Sequence, residues 1–498
     1  MRQRLINKTE PQQTPLLKGS NSLEKNAEVA EAISLQSLLF DSKISKEDWL
    51  EGLKYHNKTL TTLLLNDQID EFNQYLSSQF GSENVQTVNF EKFDPKTSQP
   101  ISKNGLVDID YRPVLQNLLQ TAILIEHSTI PPYLTALYSI KDGTNAAASQ
   151  IIRSVAVEEM LHMIMVCNVM NAVSIQPSVN RPQNYPTYPM KLPMNVDFFV
   201  GLETFSTNSI ATFIAIESPS NPLVKAPKYD HIEESPALLS RSMTEENNFW
   251  NLENMNDFIM KNVHTIGEYY DVLFFYIVVF QIAAYYKANG RLPQTFEELN
   301  TGGIFTGNPE KQIRPEQYYG SGGKLHAVEA LAGVIAVFQE IKGQGEGADD
   351  SIFDVDPSQF EEGMELAHYF RFKEIFHEHY YLDGKYEAFT DENGMMPVTT
   401  PPTGKALPVD WSAAYPMKPN PKMADYQSNP QLHAQGKAFN ETYKSLLDAI
   451  QAAVEGNAKE LEKSIMYMYA LKEQAIGLMS QPLDSQYNAG PTFEYPSN

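Results

Sequence analysis

Val155, Glu159, His162, Val166, Val169 and Val173 follow one another at steps of four and three, the spacing that turns one face of an α-helix toward a core. Two polar residues stand on that apolar line. Burying a carboxylate without a partner is costly, so something must neutralise it. An internal ion pair would explain one such helix, but the anomaly recurs. Leu115, Leu119, Ala122, Glu126, Ile130 and Leu137 share a face that again holds a lone carboxylate. Glu365, His368, Phe372 and Ile375 repeat the Glu-x-x-His pattern of Glu159 and His162, and Glu268 stands beside the almost wholly apolar stretch 272–286.

The remaining pattern places these lines on helices. Asp110 and Pro113 open a helix over 111–140, and Asn145 opens one to about 174. The short link KDGTN makes the two antiparallel. A Pro-, Asn- and Ser-rich crossover spans 175–255, with one strand-like run at 209–217 (SIATFIAIE). A helix over 257–288 stops at Asn289-Gly290, and an insertion with its own helix at 325–342 and a GQGEGADD tail follows. Asp356-Pro357 caps a last bundle helix over 357–381. Outside this unit, 1–30 reads as a loose tail, 31–85 as two or three helices, 383–430 as a surface wrap and 436–480 as a helical hairpin broken at Gly456. The fold class is mostly α, in three parts: 1–105 (tail and helical extension), 106–382 (bundle) and 383–498 (wrap and hairpin).

Composition narrows the partners. With 42% hydrophobic and 20% charged residues, the 498-residue chain is a folded protein. Its net charge of −24 repels phosphate backbones, which disfavours nucleic acid or an anionic membrane and leaves a small molecule, a partner oxidase or a second copy of the chain. The stretch 272–286 falls short of the roughly 20 residues that span a bilayer. The N-terminus has no apolar run of secretory length, and the single cysteine, Cys167, forms no internal disulfide. A cytoplasmic address is the expectation.

Read in order, the four helices present Glu126, then Glu159 and His162, then Glu268, then Glu365 and His368. That is the ligand set with which ferritin-like four-helix bundles hold two iron or two manganese ions. Four carboxylates offset much of the charge of two divalent cations, and one imidazole per ion leaves coordination positions open for dioxygen. Rival residues remain. Glu374 and His377 form a third Glu-x-x-His, but nine residues from Glu365 is about half a turn around the axis, so both motifs cannot face one centre. His264 precedes Glu268 by one turn. Glu158 falls off the apolar line, His127 points elsewhere, His379 lies too far along, and Glu329 and Glu340 read as surface acids. Pro131-Pro132 should kink or interrupt the first helix near the site, as a simple bend or to open a channel.

The wording IEHSTIPPYLTALYSI, EEMLHM, TIGEYYDVL, GQGEG, ELAHYFRFKEI, YPMKPNPK, AFNETY and AGPTFEY, in that order over about residues 106–496, resembles the ferritin-like domain of iminophenyl-pyruvate dimer synthase-type proteins. The resemblance implies a ferritin-like fold with a long crossover and a place in bisindole-type secondary metabolism, where an imine derived from an aromatic amino acid is oxidatively coupled. It agrees with Glu126, Glu159, His162, Glu268, Glu365 and His368 as motif positions. It offers no counterpart of the haem-associated region of those synthases. Two functions follow as expectations: a non-haem dimetal oxidase or oxygenase, with Tyr269, Tyr270 and Arg371 supporting the ligands, or a non-catalytic partner or scaffold for a separate oxidase. Metal storage would differ from both in loading many ions per chain.

Overall fold

The computed structural model describes residues 110–219, 263–290, 295–318, 322–346, 352–357, 364–381 and 401–496, together with residues 55, 256, 259–261 and 293. Apart from Tyr55, the tail and helices expected over 1–85 lie outside the described residues. The fold is mostly helical. Tyr111–Ser139 (α1) and Ala146–Ala172 (α2) form the expected pair. Asp110 caps α1 by accepting the Arg112 backbone N–H at 3.2 Å. The α1–α2 corner is tied to the wrap: the Asn145 side chain donates to the Asp410 carbonyl at 2.9 Å and accepts the Asp410 N–H at 2.7 Å.

The sequence predicts a kink or an interruption at Pro131-Pro132, and α1 runs through both without interruption. A proline removes the N–H that would satisfy the carbonyl four residues back. For Pro132 that carbonyl belongs to Ser128, and the buried Tyr188 hydroxyl donates to it at 2.9 Å. The crossover thus supplies the bond that the proline withholds. Tyr188→Phe should cost about 1–3 kcal/mol, because it leaves a buried carbonyl unmet. Urea unfolding checks this, and an unchanged midpoint would show that the carbonyl finds another donor.

Three elements depart from the pattern. The run expected as a strand at 209–217 is a helix, Thr207–Ile216 (α3). A short continuous apolar run fits either element, and here the start signal decides: the Ser206 hydroxyl accepts from Ser209 N–H while the Ser209 hydroxyl accepts from Ser206 N–H. The third long helix, Ile266–Asn289 (α4), starts later than predicted and ends as expected at Gly290, whose φ of 69° suits glycine. Most consequentially, the predicted helix over 357–381 is split. Phe353–Pro357 (β1) pairs antiparallel with Met364–Leu366 (β2), and helix begins only at His368, as His368–His377 (α6).

The insertion helix, Leu331–Glu346 (α5), packs against both α2 and α4, while α1 packs against α2 and α4. The ring of long helices is therefore α1–α2–α5–α4, and α5 holds the place that the sequence assigns to the 357–381 helix. The shorter α6 packs with α3 against the ring through α2 and α5. Pro430–Val454 (α7) and Leu461–Met479 (α8) make the C-terminal hairpin, with α7 on α2 and α8 on α1.

Taken whole, α2 and α4 are each long and apolar enough to cross a membrane, although the stretch 272–286 alone is not. Their most apolar windows are 94% and 83% buried within the protein, as core helices are. Cys167 lies at 0% exposure on α2.

Candidate metal centre

Glu126 of α1, Glu159 and His162 of α2, Glu217 at the C-terminal cap of α3 and His368, the first residue of α6, converge in the interior. All five are buried, none more than 4% exposed. The ligand atoms of Glu126, Glu159 and His162 lie within 4.8 Å of one another, and so do those of Glu159, Glu217 and His368. Glu159 belongs to both groups.

One rule orders the carboxylates. Each gives one oxygen to a hydroxyl and the other to the histidines. Tyr270 donates to Glu126 Oε1, Thr129 to Glu159 Oε2 at 2.7 Å, and Tyr133 to Glu217 Oε1. The second oxygens face inward. Glu126 Oε2 is 3.4 Å from His162 Nδ1, Glu217 Oε2 is 3.5 Å from His368 Nδ1, and Glu159 Oε1 is 3.7 Å from the first ring nitrogen and 3.0 Å from the second. The two rings stack with centroids 5.6 Å apart.

The far ring nitrogens are anchored. His368 Nε2 donates to Glu158 Oε2 at 2.7 Å, and His162 Nε2 to Gln344 Oε1 at 2.7 Å. The Gln344 amide nitrogen faces the Glu340 carboxylate at 3.4 Å, which fixes its oxygen toward His162. With Nε2 committed as donor on both rings, Nδ1 is left to the carboxylates. Such anchoring of the second nitrogen is how proteins orient metal-binding histidines.

Electrostatics point the same way. Burial, then the Glu217 charge, pushes Glu159 up to about 7. Burial alone would lower His162, but its hydrogen bond to Glu126 and the Glu159 and Glu126 charges raise it to about 9. His368 is also raised well above the ordinary imidazole value, the Glu158 bond and the Glu159 and Glu217 carboxylates beside Nδ1 overcoming burial. Burial and the nearby carboxylates raise the Tyr133 and Tyr270 phenols, which therefore remain protonated donors. Three carboxylates crowd a pocket whose facing cations are two imidazoles. His368 Nδ1 is buried without a hydrogen-bond partner. A ring nitrogen so placed between carboxylate oxygens fits a ligand to a divalent ion, and the mixed oxygen and imidazole set suits iron or manganese.

An ion-pair network stands behind this cluster and joins it through the Glu158–His368 bond. Burial opposes ionisation of Glu158, and Arg371 and His368 reverse that, holding its carboxyl at about 2. Arg371 also reaches Asp354 at 3.2 Å and Glu365 at 3.3 Å.

The structure thus brings together Glu126, Glu159, His162 and His368 of the expected set and places the other two elsewhere. Glu365 lies on β2 and pairs with Arg371, because helix begins three residues later. Glu268 sits in the first turn of α4, where its carboxylate accepts the His264 backbone N–H at 2.7 Å and lies 3.6 Å from the His264 ring. Glu217 occupies the position that the sequence assigns to an acid on the last helix. Among the rivals, Glu374 accepts from Tyr381 N–H at 2.7 Å, His377 and His379 are exposed, and His127 binds the Tyr443 hydroxyl. Tyr269 donates to the Leu118 carbonyl, away from the cluster, whereas Tyr270 holds Glu126. Glu329 is exposed and paired with Arg314, but Glu340, expected at the surface, is buried behind Gln344.

Beside the cluster is a cavity of about 10 Å³, the lower limit of room for one water. Glu126, Glu159, His162 and Glu217 line it, with Ile266, Gly267, Tyr270 and Ile341 on the side of α4 and α5.

A family model described as Ferritin-like matches residues 119–377, more than half of the 498. A solved structure described as a ferritin like protein from Caulobacter vibrioides is similar at 19% sequence identity, with a TM-score of 0.43, over 77% of this chain and 98% of that one. No curated protein matches the chain.

Proposed function

The chain belongs to the Ferritin-like family, and on that premise we propose that it is a non-haem dimetal oxidoreductase that uses dioxygen on a small aromatic or amino-acid-derived molecule. The observation that carries this reading is Glu159, whose carboxylate is common to two Glu/His groups. Glu126 and His162 would hold one ion, Glu217 and His368 the other, and Glu159 both. Two bound iron or manganese ions would supply one-electron and dioxygen chemistry. The protein's own contribution is placement. Tyr270, Thr129 and Tyr133 each hold one carboxylate oxygen by a hydroxyl bond. Glu158 and Gln344 fix the ring tautomers. Ile266 and Ile341 give the cavity an apolar side, with Lys342 beside them. The substrate class rests on the likeness of the sequence to iminophenyl-pyruvate dimer synthase-type proteins.

A second reading, a ferritin-like partner subunit that does not itself turn over an organic molecule, has one observation in its favour: the cavity, of about 10 Å³, is too small for an aromatic ring. One experiment separates the two. Apoprotein reconstituted with Fe(II) under anaerobic conditions is mixed with oxygenated buffer, and oxygen consumption is followed with and without aromatic amino acids and their α-imino acids. The enzyme reading expects about two ions per chain and oxygen uptake that rises with an organic substrate. Uptake only in the presence of another protein would favour the partner subunit, and failure to take up iron or manganese would overturn both.

A further inference from the structure

Resting on the dimetal reading above, we infer that the two ion positions are inequivalent: the one at His368 binds tightly and fills first, while the one at His162 is the exchangeable position facing the cavity. Two independent observations carry this.

The first is the anchor behind each ring. His368 Nε2 donates to a carboxylate, Glu158 Oε2, at 2.7 Å. Arg371 clamps that carboxylate through both oxygens, at 3.0 and 2.6 Å, and Ser154 shares the guanidinium at 3.1 Å. Asp354 and Glu365 share the same guanidinium, at 3.2 and 3.3 Å. A negative acceptor on the far nitrogen strengthens the near one as a ligand and holds the ring still. His162 donates instead to a neutral amide, and the acid behind that amide, Glu340, also lies 3.5 Å from His326 and accepts the Lys324 N–H. The charge that would strengthen His162 stands one side chain further away.

The second observation is access. Of the two rings only that of His162 borders the cavity, beside Glu126, Glu159 and Glu217, whereas His368, at 0% exposure, is enclosed by Glu158, Glu159 and Glu217. Glu158 and Gln344 act through the histidines they hold and are positioning residues.

Titrating the apoprotein with Co(II) alone, followed by its visible absorption and by calorimetry, reads each position without any need for turnover. The expected result is two resolved phases, the first complete at one ion per chain. His162→Ala should abolish the second phase and spare the first, and His368→Ala should abolish the first. Glu158→Gln should weaken the first phase by about 10–100-fold and leave the second, while Gln344→Glu should tighten the second. If Glu158→Gln fails to fold, the two histidine variants and Gln344→Glu still decide. A single phase with two equal ions, or a tight phase that survives His368→Ala, overturns the inference and leaves the dimetal reading standing. No binding by the unaltered protein overturns that reading itself.

Discussion

Replacing Glu159 with alanine should abolish binding of both ions while the fold survives. Its inner oxygen faces both histidines, at 3.7 and 3.0 Å, and among the described residues Glu159 is the member common to the two Glu/His groups. The loss in affinity should exceed the roughly 10–100-fold typical of removing an outer partner. Stability should move little, because the lost Thr129 bond is offset by relief of repulsion among buried carboxylates, and the single Thr129 hydroxyl proton can turn to the Glu126 carbonyl, 2.7 Å away. Elemental analysis beside thermal melts in chelator checks both halves. Glu217→Ala should lose one ion, whereas Glu268→Ala and Glu365→Ala should lose none. Unfolding of Glu159→Ala in chelator, where the unaltered protein stays folded, would mean that the carboxylate serves an internal ion pair instead.

Arg371→Met should be the most destabilising change, by about 3–5 kcal/mol, because it leaves buried acids without their cation. Glu158 and Asp354 are each only 1% exposed and both lean on that guanidinium. Lysine should restore the charge only in part, since it cannot span both oxygens of Glu158. Chemical unfolding in chelator measures this apart from metal binding. The linkage has a definite sign. Glu158 is held at about 2 against an ordinary 4.5, so its contribution is fully present above pH 4.5 and lost as pH falls through about 2. An unchanged unfolding midpoint in Arg371→Met would remove Arg371 from the account.

Much of the fold was legible because α1 and α2 are long, strongly periodic and joined by a short link. On those helices Glu126, Glu159 and His162 stand out as acids and a histidine on apolar lines, and all three sit in the buried cluster. The rest was obscured by local signals that compete with periodicity. Glu268 looks like a ligand, yet Thr265-Ile-Gly-Glu268 is also a helix-start signature, and Glu268 N–H does bond the Thr265 hydroxyl at 3.1 Å. Asp356-Pro357 reads as a cap, but Phe353 and Val355 alternate with aspartates at the period of a strand, which is what forms. That strand pair takes Glu365 off the helix and leaves His368 as its first residue. Glu217 was hidden because a ten-residue apolar run fits a strand as well as a buried helix, and only the Ser206 cap distinguishes them. Gln344 falls in the stretch GQGEGADD that reads as a tail, yet α5 continues through it to Glu346, and its role shows only when α5 packs against α2 and α4.

The central claim is that one glutamate joins two ion positions. Anomalous diffraction from crystals soaked in Mn(II), with data collected above and below the manganese edge, tests it most directly. The account predicts two peaks flanking Glu159, one toward Glu126 and His162 and the other toward Glu217 and His368. A lone peak, or peaks at Glu268 or Glu365 with none beside Glu159, would contradict it.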